Sequence, residues 1–226
     1  MTPGDEGDHK AIFEEIYRDS LWGQGSGHGS SEAVTRPYRQ FLQDFLRRRG
    51  IRSVVDLGCG DWQFSQHMDW TGVRYLGLDA SETALASARR FERPGVSFQR
   101  IDATGDELPP ADLLIAKDVL QHWSSDDILR FLPRLGGYRH ALITNGFPAK
   151  LLPKTNARFR TGKGYRPVDL QQAPFNLPGE YVFSYESDEP KRVFHWTRPE
   201  TPAAGTRVSE VLGALARRLG FRSGVD

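Results

Sequence analysis

The sequence predicts an α/β fold in which a mostly parallel sheet carries helices on both faces. From residue 51 onward, short apolar stretches alternate with helical patterns. Several of these stretches end in an acidic residue, and two glycines follow the first of them. Such alternation is typical of parallel strands joined by right-handed crossovers, so the carboxyl ends of these strands should meet at one edge of the sheet.

Residues 1–9 are rich in Gly and Asp, and we predict that they are disordered. Residues 10–50 are predicted to form an N-terminal helical lid. Apolar residues recur at helical spacing over 10–19 and 32–49, with a glycine-rich loop between the two segments. This loop and the nearby Trp22 either form a flexible linker or close over a ligand and exclude water.

The core is predicted to span residues 51–226 and to contain seven strands. The last two strands are predicted at 181–185 and 193–197, with the final one antiparallel. Five prolines interrupt residues 146–179, which predicts an irregular substrate lid inserted in the core. An amphipathic helix is predicted at 206–220.

Composition limits the function classes. The net charge is +1, less basic than expected for a dedicated nucleic-acid binder. No apolar run approaches the roughly 18 residues of a membrane span, and no signal peptide is apparent. The one cysteine, Cys59, leaves no basis for a disulfide framework or a cysteine metal cluster. We therefore expect a cytoplasmic monomer or homodimer that binds neither membrane nor nucleic acid.

The glycine turn after the first strand is the most informative stretch. A dinucleotide-binding turn has the pattern Gly-x-Gly-x-x-Gly, but here Gly58 and Gly60 are followed by Gln63 at the third position. Asp56 and Asp61 flank the turn, and a carboxylate beside a pyrophosphate is unfavourable. A cationic ligand without phosphates fits better. S-adenosylmethionine has a sulfonium, an ammonium and a free ribose diol.

Acidic residues end the next two predicted strands at equal intervals. Asp79 lies 23 residues after Asp56, and Asp102 lies 23 residues after Asp79. An acid at the second strand can accept two hydrogen bonds from a ribose diol. Asp102, with the backbone N–H of Ala103 beside it, is placed to bind the exocyclic amine and ring of adenine. The fourth strand then ends at Lys117.

At this point the chain resembles the class I S-adenosylmethionine-dependent methyltransferases. Residues 52–145 carry the resemblance through Asp-Leu-Gly-Cys-Gly, the Leu-Asp pair before the third helix and Asp-Val-Leu-Gln-His. The resemblance implies a Rossmann-like fold and S-adenosylmethionine as cofactor, with S-adenosylhomocysteine as product. It implies that the glycine turn flanks the methionine portion, Asp79 the ribose and Asp102 the adenine. The full predicted cofactor set is Trp22, Asp56, Gly58, Cys59, Gly60, Asp79, Ala80, Asp102, Ala103 and Lys117.

Methyl transfer requires the acceptor atom, the methyl carbon and the sulfur to be collinear, so positioning supplies much of the catalysis. A base is needed only when the acceptor starts protonated. Asp118 and His122 are the candidates, and they share one face if residues 118–122 are helical. His122 alternatively supports the loop structurally. The six histidines are dispersed, so no metal is expected.

Acceptor selection is assigned to the lid, with Asn145, Tyr165 and Arg166 as the predicted substrate-binding residues. Arg166 would suit an acceptor that carries a carboxylate or phosphate. Equally, it could pin the lid onto Asp169 or Glu180.

The sequence thus predicts an enzyme that moves a methyl group to an oxygen or nitrogen of a small polar molecule. Methylation of a protein or peptide side chain is an alternative and would need an open groove. A non-catalytic S-adenosylmethionine-binding partner subunit is another.

Overall fold

The computed structural model describes residues 8–199. Within them, the order of elements is two helices, then alternating strands and helices, then an irregular segment and a final strand pair. The helices are α1 (His9–Arg18), α2 (Glu32–Arg49), α3 (Glu82–Ala88) and α4 (Ser125–Phe131). The strands are β1 (Ser53–Leu57), β2 (Arg74–Asp79), β3 (Val96–Arg100), β4 (Ala111–Lys117), β5 (Tyr138–Gly146), β6 (Glu180–Tyr185) and β7 (Lys191–Thr197). The helix predicted at 206–220 lies outside the described residues.

All seven strands form one sheet in the order β3-β2-β1-β4-β5-β7-β6. Strands β1 to β5 pair in parallel, and β7 is antiparallel to both of its neighbours. This confirms the predicted sheet, including its antiparallel last strand. The chain adds strands in one direction from β1 to β3 and in the other direction from β4 onward. The connections after β1 and β4 therefore run to opposite sides, and a crevice opens between the carboxyl ends of these two strands.

Side chains alternate between two apolar cores, one on each face of the sheet. On one face, Val54 and Leu113 pack with Tyr38 and Leu42 of α2. On the other, Val55, Leu114 and Ile143 pack with Ile128 and Phe131 of α4. The predicted N-terminal lid therefore includes a helix, α2, that belongs to the core. Gly50 ends α2 in the left-handed conformation (φ 60°), as its lack of a side chain allows.

The segment between β5 and β6 contains only a short 3₁₀ helix, Ala149–Lys154. Its second half covers the sheet: Val168, Leu170 and Phe175 are buried in the second core. Its first half, residues 147–167, lies nearer the carboxyl edge, and we call it the lid loop. Within residues 8–199, no helix combines the length and the apolar character needed to cross a membrane.

Two local predictions were wrong. The alternation of strands and helices predicts a helix after the first strand, from Asp61, but residues 61–64 form turns and a 3₁₀ helix follows at Ser65–His67. Trp62, in these turns, has a positive φ of 65°. Helix α1 begins at His9, one residue inside the stretch predicted to be disordered, because Asp8 caps it by accepting a hydrogen bond from Lys10 N at 2.9 Å.

Candidate functional site

A cavity of about 430 Å³ opens at the carboxyl ends of β1, β2 and β4. Its floor comes from the turns that follow these strands, one wall from α1 and the glycine-rich segment Gly23–Ser31, and the mouth from the lid loop. This is the edge at which open α/β sheets bind their ligands. Most of the predicted cofactor residues line it: Trp22, Gly58, Cys59, Asp79, Ala80, Asp102, Ala103 and Lys117.

The glycine turn shapes the cavity floor without offering free N–H groups. Gly58 N and Cys59 N both donate to the carbonyl of Leu78, at 2.7 and 3.1 Å. Gly58 has φ 68°, and a Cβ there would overlap the side chain of Val119. The missing side chain thus makes room for Val119, which packs against the turn. Since these two N–H groups are already used, a phosphate would find few donors here.

Asp79 connects the glycine turn to the start of α3. Its Oδ2 accepts from Gly60 N and its Oδ1 from Ser81 N, both at 2.9 Å. Burial raises the pKa of Asp79 to about 6, although these N–H groups favour the charged form. Each carboxylate oxygen keeps a lone pair for a further donor, and the side chain lines the cavity.

Asp102 lies at the other end of the cavity. Its Oδ1 accepts from Thr104 N at 2.8 Å and Thr104 Oγ1 at 2.7 Å, whereas its Oδ2 accepts no hydrogen bond from residues 8–199. The α1 residue His9 closes this end, with its Nε2 3.1 Å from Asp127 Oδ2 on α4. One acidic oxygen is therefore available to a ligand donor.

The N-terminal residues cover the cavity. Trp22 donates its indole N–H to the carbonyl of Lys163 in the lid loop at 3.0 Å, and its ring lies 4.8 Å from that of His122. Below it, Tyr17 Oη lies 3.0 Å from Ser26 Oγ, which donates to Asp61 Oδ1 at 2.6 Å. These contacts hold the glycine-rich segment across the glycine turn.

His122 faces the cavity from the 3₁₀ helix Leu120–His122. Its Nδ1 lies 2.7 Å from the carbonyl of Gly164, which can only accept, so Nδ1 carries the proton. Its Nε2 holds the lone pair and accepts a hydrogen bond from the side-chain amide nitrogen of Gln121 at 3.3 Å. Burial lowers the pKa of His122, which keeps the ring neutral at neutral pH.

Comparisons with known proteins relate the central part of the chain to methyltransferases. The model of a family described as a methyltransferase domain matches residues 54–137. Trans-aconitate 2-methyltransferase of Methylobacterium nodulans is 43% identical over 88 residues, which is 36% of this chain and 32% of that protein. The match thus spans about a third of the curated relative's length.

Solved structures share the fold at low sequence identity. The N-methyltransferase NodS from Bradyrhizobium japonicum WM9, in complex with S-adenosyl-L-homocysteine, has a TM-score of 0.63 at 12% identity, covering 85% of this chain and 100% of that one. Human N-acetylserotonin methyltransferase, in complex with SAM, has a TM-score of 0.54 at 16% identity, covering 86% and 61%. Residues 54–137 thus match a methyltransferase-domain family, and the fold of residues 8–199 is the one found in these solved methyltransferases.

Two of the predicted cofactor residues, Asp56 and Gly60, do not line the cavity. Asp56 is buried beneath the turn and accepts hydrogen bonds from Tyr75 Oη at 2.6 Å and Ser65 Oγ at 3.2 Å. Burial raises its pKa to about 6. A Cβ on Gly60 would overlap Ser26 Oγ and Tyr17 Oη, so this glycine permits the glycine-rich segment to approach. Both residues support the site from outside it.

Asp118 lines the cavity but is poorly suited as a base. It has φ 58° and lies outside the 3₁₀ helix of His122, so the two do not share a helical face. Its carboxylate binds Lys117 Nζ at 2.6 Å and Lys191 Nζ at 2.9 Å. Burial raises the pKa of Asp118, but the two ammonium groups outweigh this and hold it at about 2. The structure therefore favours His122.

Two predicted substrate residues lie away from the cavity. Arg166 is buried and donates to the carbonyls of Ala157 and Trp123 and to Ser125 Oγ, at 2.7 to 3.0 Å. It pins the lid, though onto neither of the acids expected. Burial lowers its pKa to about 10. Asn145 Oδ1 accepts from Gln121 N at 3.2 Å and fixes the 3₁₀ helix.

Tyr165 is the predicted substrate residue that the structure does bring to the cavity. Its hydroxyl donates to Glu189 Oε2 at 2.7 Å, and this hydrogen bond raises the pKa of Tyr165 to about 12. Several lining residues were missed by the sequence analysis: His9, Phe13, Tyr17, Ser26, Gln121, Lys150, Lys163, Glu189 and Lys191. The helical spacing of Phe13 and Tyr17, one turn apart, was the available signal for the α1 wall.

Proposed function

We propose that this chain binds S-adenosylmethionine in the cavity and transfers its methyl group to an oxygen or nitrogen of a small polar molecule. One observation carries the proposal. A single cavity joins the acids Asp79 and Asp102 at the strand ends to a neutral histidine, His122, beneath the lid loop. Asp79 suits the ribose diol of the cofactor, and Asp102 suits its exocyclic amine. His122 suits an acceptor that must lose a proton.

The hydrogen-bond acceptors that line the cavity support a cationic adenosyl ligand. Asp102 Oδ2 is an unused acceptor at one end of the cavity, and Asp79 has lone pairs directed at its middle. We assign the exocyclic amine of adenine to the first and the ribose diol to the second. Gly58 and Cys59 would then contact the methionine portion, where their N–H groups are already paired internally. This arrangement would not serve a pyrophosphate.

When bound, S-adenosylmethionine supplies a methyl group on a sulfonium sulfur, which leaves as a neutral thioether. The chain's own residues align the acceptor and manage its proton. We assign to His122 Nε2 the removal of a proton from a hydroxyl or ammonium acceptor, because Gly164 fixes the other nitrogen as a donor. The acceptor would take the place of the Gln121 amide, which donates to Nε2 in this structure. Trp22, bonded to Lys163, would exclude water from above.

The covered cavity supports a small acceptor over a protein side chain. A peptide substrate needs an open groove, whereas here the bond between Trp22 and Lys163 bridges the cavity. A volume of about 430 Å³ lies at the lower end of the range for small-molecule sites, and the cofactor would occupy much of it.

Calorimetric titration with S-adenosylmethionine, S-adenosylhomocysteine and NAD tests the cofactor directly. We expect micromolar binding of both adenosyl ligands and none of NAD. Binding of NAD alone would overturn the proposal. Once the cofactor is established, release of S-adenosylhomocysteine in the presence of candidate acceptors, measured against the acceptor-free rate, tests catalysis and would exclude a non-catalytic binding subunit.

A further inference from the structure

The lid loop concentrates positive charge. Residues 147–168 include six basic residues and no acidic one, although the whole chain has a net charge of only +1. Arg166 is buried, and the other five are exposed: Lys150, Lys154, Arg158, Arg160 and Lys163. Methyl transfer by itself requires none of them, so this charge calls for a separate explanation.

Two of these residues reach the site itself. Lys150 and Lys163 both line the cavity, one on the 3₁₀ helix of the lid loop and the other beside the Trp22 bridge. Among residues 8–199, neither ammonium group has a hydrogen-bond or ion-pair partner. This distinguishes them from Lys117 and Lys191, which are buried and paired with Asp118.

The acids at the mouth do not neutralise these two lysines by contact. Asp188 is paired with His28, whose Nδ1 lies 2.7 Å from its Oδ1. Glu189 is bound by Lys191 at 2.9 Å and by Tyr165 at 2.7 Å. Each acid that lines the mouth thus has a partner of its own, and the two lid lysines remain open to a ligand.

We propose that the methyl acceptor is a small organic anion whose carboxylate or phosphate is held by Lys150 and Lys163. The proposal rests on the methyltransferase function proposed above and specifies the substrate class of that site. The remaining exposed cations of the lid loop, Lys154, Arg158 and Arg160, would raise the association rate of such an anion by electrostatic steering. The bridged, limited volume favours a small anion over a nucleic acid.

The test uses the full chain saturated with S-adenosylhomocysteine at low ionic strength, titrated calorimetrically with citrate and, separately, with inorganic pyrophosphate. We expect at least one of the two anions to bind with one-to-one stoichiometry, and added NaCl to weaken it. The stronger probe distinguishes a carboxylate from a phosphate acceptor. In K150Q/K163Q the affinity should fall by about tenfold, since two exposed charge pairs are lost.

The matched control is R47Q/R48Q. These exposed arginines end α2, which leads into the start of β1 at the edge of the sheet opposite the cavity. The control removes the same charge and should leave anion affinity within about twofold. Thermal unfolding of both variants checks that the lid loop remains folded.

Two results would overturn the proposal: binding of neither anion, or equal anion affinity in K150Q/K163Q and the unsubstituted chain. The affinity for S-adenosylhomocysteine is measured first, and its absence would overturn the methyltransferase proposal instead. In that case the same anion titrations on the free protein still decide whether the two lysines form an anion site.

Discussion

The indole N–H of Trp22 donates to the carbonyl of Lys163 at 3.0 Å, across 141 residues of sequence. Trp22 belongs to the N-terminal covering and Lys163 to the lid loop, so one hydrogen bond joins the two segments that enclose the cavity. The ring of Trp22 also packs against His122, 4.8 Å between centroids. This contact makes the enclosure of the ligand and the placement of the candidate base depend on the same side chain.

Replacing Trp22 with Phe keeps an aromatic ring over His122 and removes the bond to Lys163. A net hydrogen bond contributes about 1 kcal/mol, so we expect about fivefold weaker binding of S-adenosylhomocysteine, mainly through faster dissociation. Stopped-flow displacement measures the rate. Trp196→Phe, in β7 away from the cavity, is the control and should leave dissociation unchanged. An unaltered rate in Trp22→Phe would show that the bridge does not retain the ligand.

Asp79→Ala should weaken S-adenosylmethionine binding by a few kcal/mol at most, because hydrogen bonds between a carboxylate and the ribose diol are lost. The substitution also removes the acceptor for Gly60 N and Ser81 N. Thermal unfolding must therefore accompany the calorimetric measurement. Asp44→Ala, on the outer surface of α2, provides the control. Unchanged affinity in a folded Asp79→Ala variant would remove the ribose assignment.

His122→Asn keeps a donor for Gly164 and lacks the imidazole lone pair. With an acceptor that starts protonated, we expect turnover to fall by about 10² to 10⁴ while cofactor affinity stays constant. In the unsubstituted chain, kcat/KM should rise with pH as His122 loses its proton, with a midpoint below the usual histidine value because burial lowers its pKa. In His122→Asn this rise of kcat/KM with pH should be absent. A normal rate at saturating acceptor would make His122 a structural residue.

Gly58→Ala tests the bare backbone of the glycine turn. At φ 68° an L side chain costs about 1 kcal/mol, and the new Cβ overlaps the side chain of Val119. We expect a lower unfolding temperature and weaker binding of S-adenosylhomocysteine. Gly136→Ala is the matched control, because nothing lies within 4 Å of its Cβ position and its φ is not positive. Equal behaviour of the two variants would show that neither the positive φ of Gly58 nor its contact with Val119 shapes the cavity floor.

The cofactor half of the site could be predicted because its signals are local. Asp79 and Lys117 end β2 and β4, and Asp102 lies two residues after the end of β3, so their positions at the cavity follow from finding the strands. Hydrophobic patterning was also sufficient for α2, whose predicted and observed bounds are both 32–49.

The acceptor half depends on contacts between distant segments, which no local pattern specifies. Arg166 turned inward because Trp123 and Ala157 offer buried carbonyls that its guanidinium can satisfy. The pKa of Asp118 is lowered by its neighbour Lys117 and by Lys191, and only the second contact, 73 residues away, joins distant segments. The run of basic residues at 150–166 was visible in the sequence, but only the fold shows that Lys150 and Lys163 reach the cavity.

A histidine pair at the opposite edge of the sheet should make the fold sensitive to acid. His140 Nδ1 on β5 lies 3.2 Å from His195 Nε2 on β7, and both rings are buried against Phe45 of α2. Burial lowers the pKa of His195 to about 4, with further contributions from His140 and Arg49. Burial, Arg49 and Arg139 likewise lower the pKa of His140, with Asp112 opposing them.

In the unfolded chain His195 binds a proton near pH 6.5, whereas in the folded chain it does so only near pH 4. The free energy of unfolding is therefore highest above pH 6.5 and decreases as the pH falls from 6.5 to 4. The loss should reach about 3 kcal/mol, measured by urea unfolding at several pH values. His195→Gln should flatten this dependence, while His67→Gln, on a 3₁₀ helix remote from the pair, should preserve it. An equally steep dependence in His195→Gln would assign the acid sensitivity to other groups.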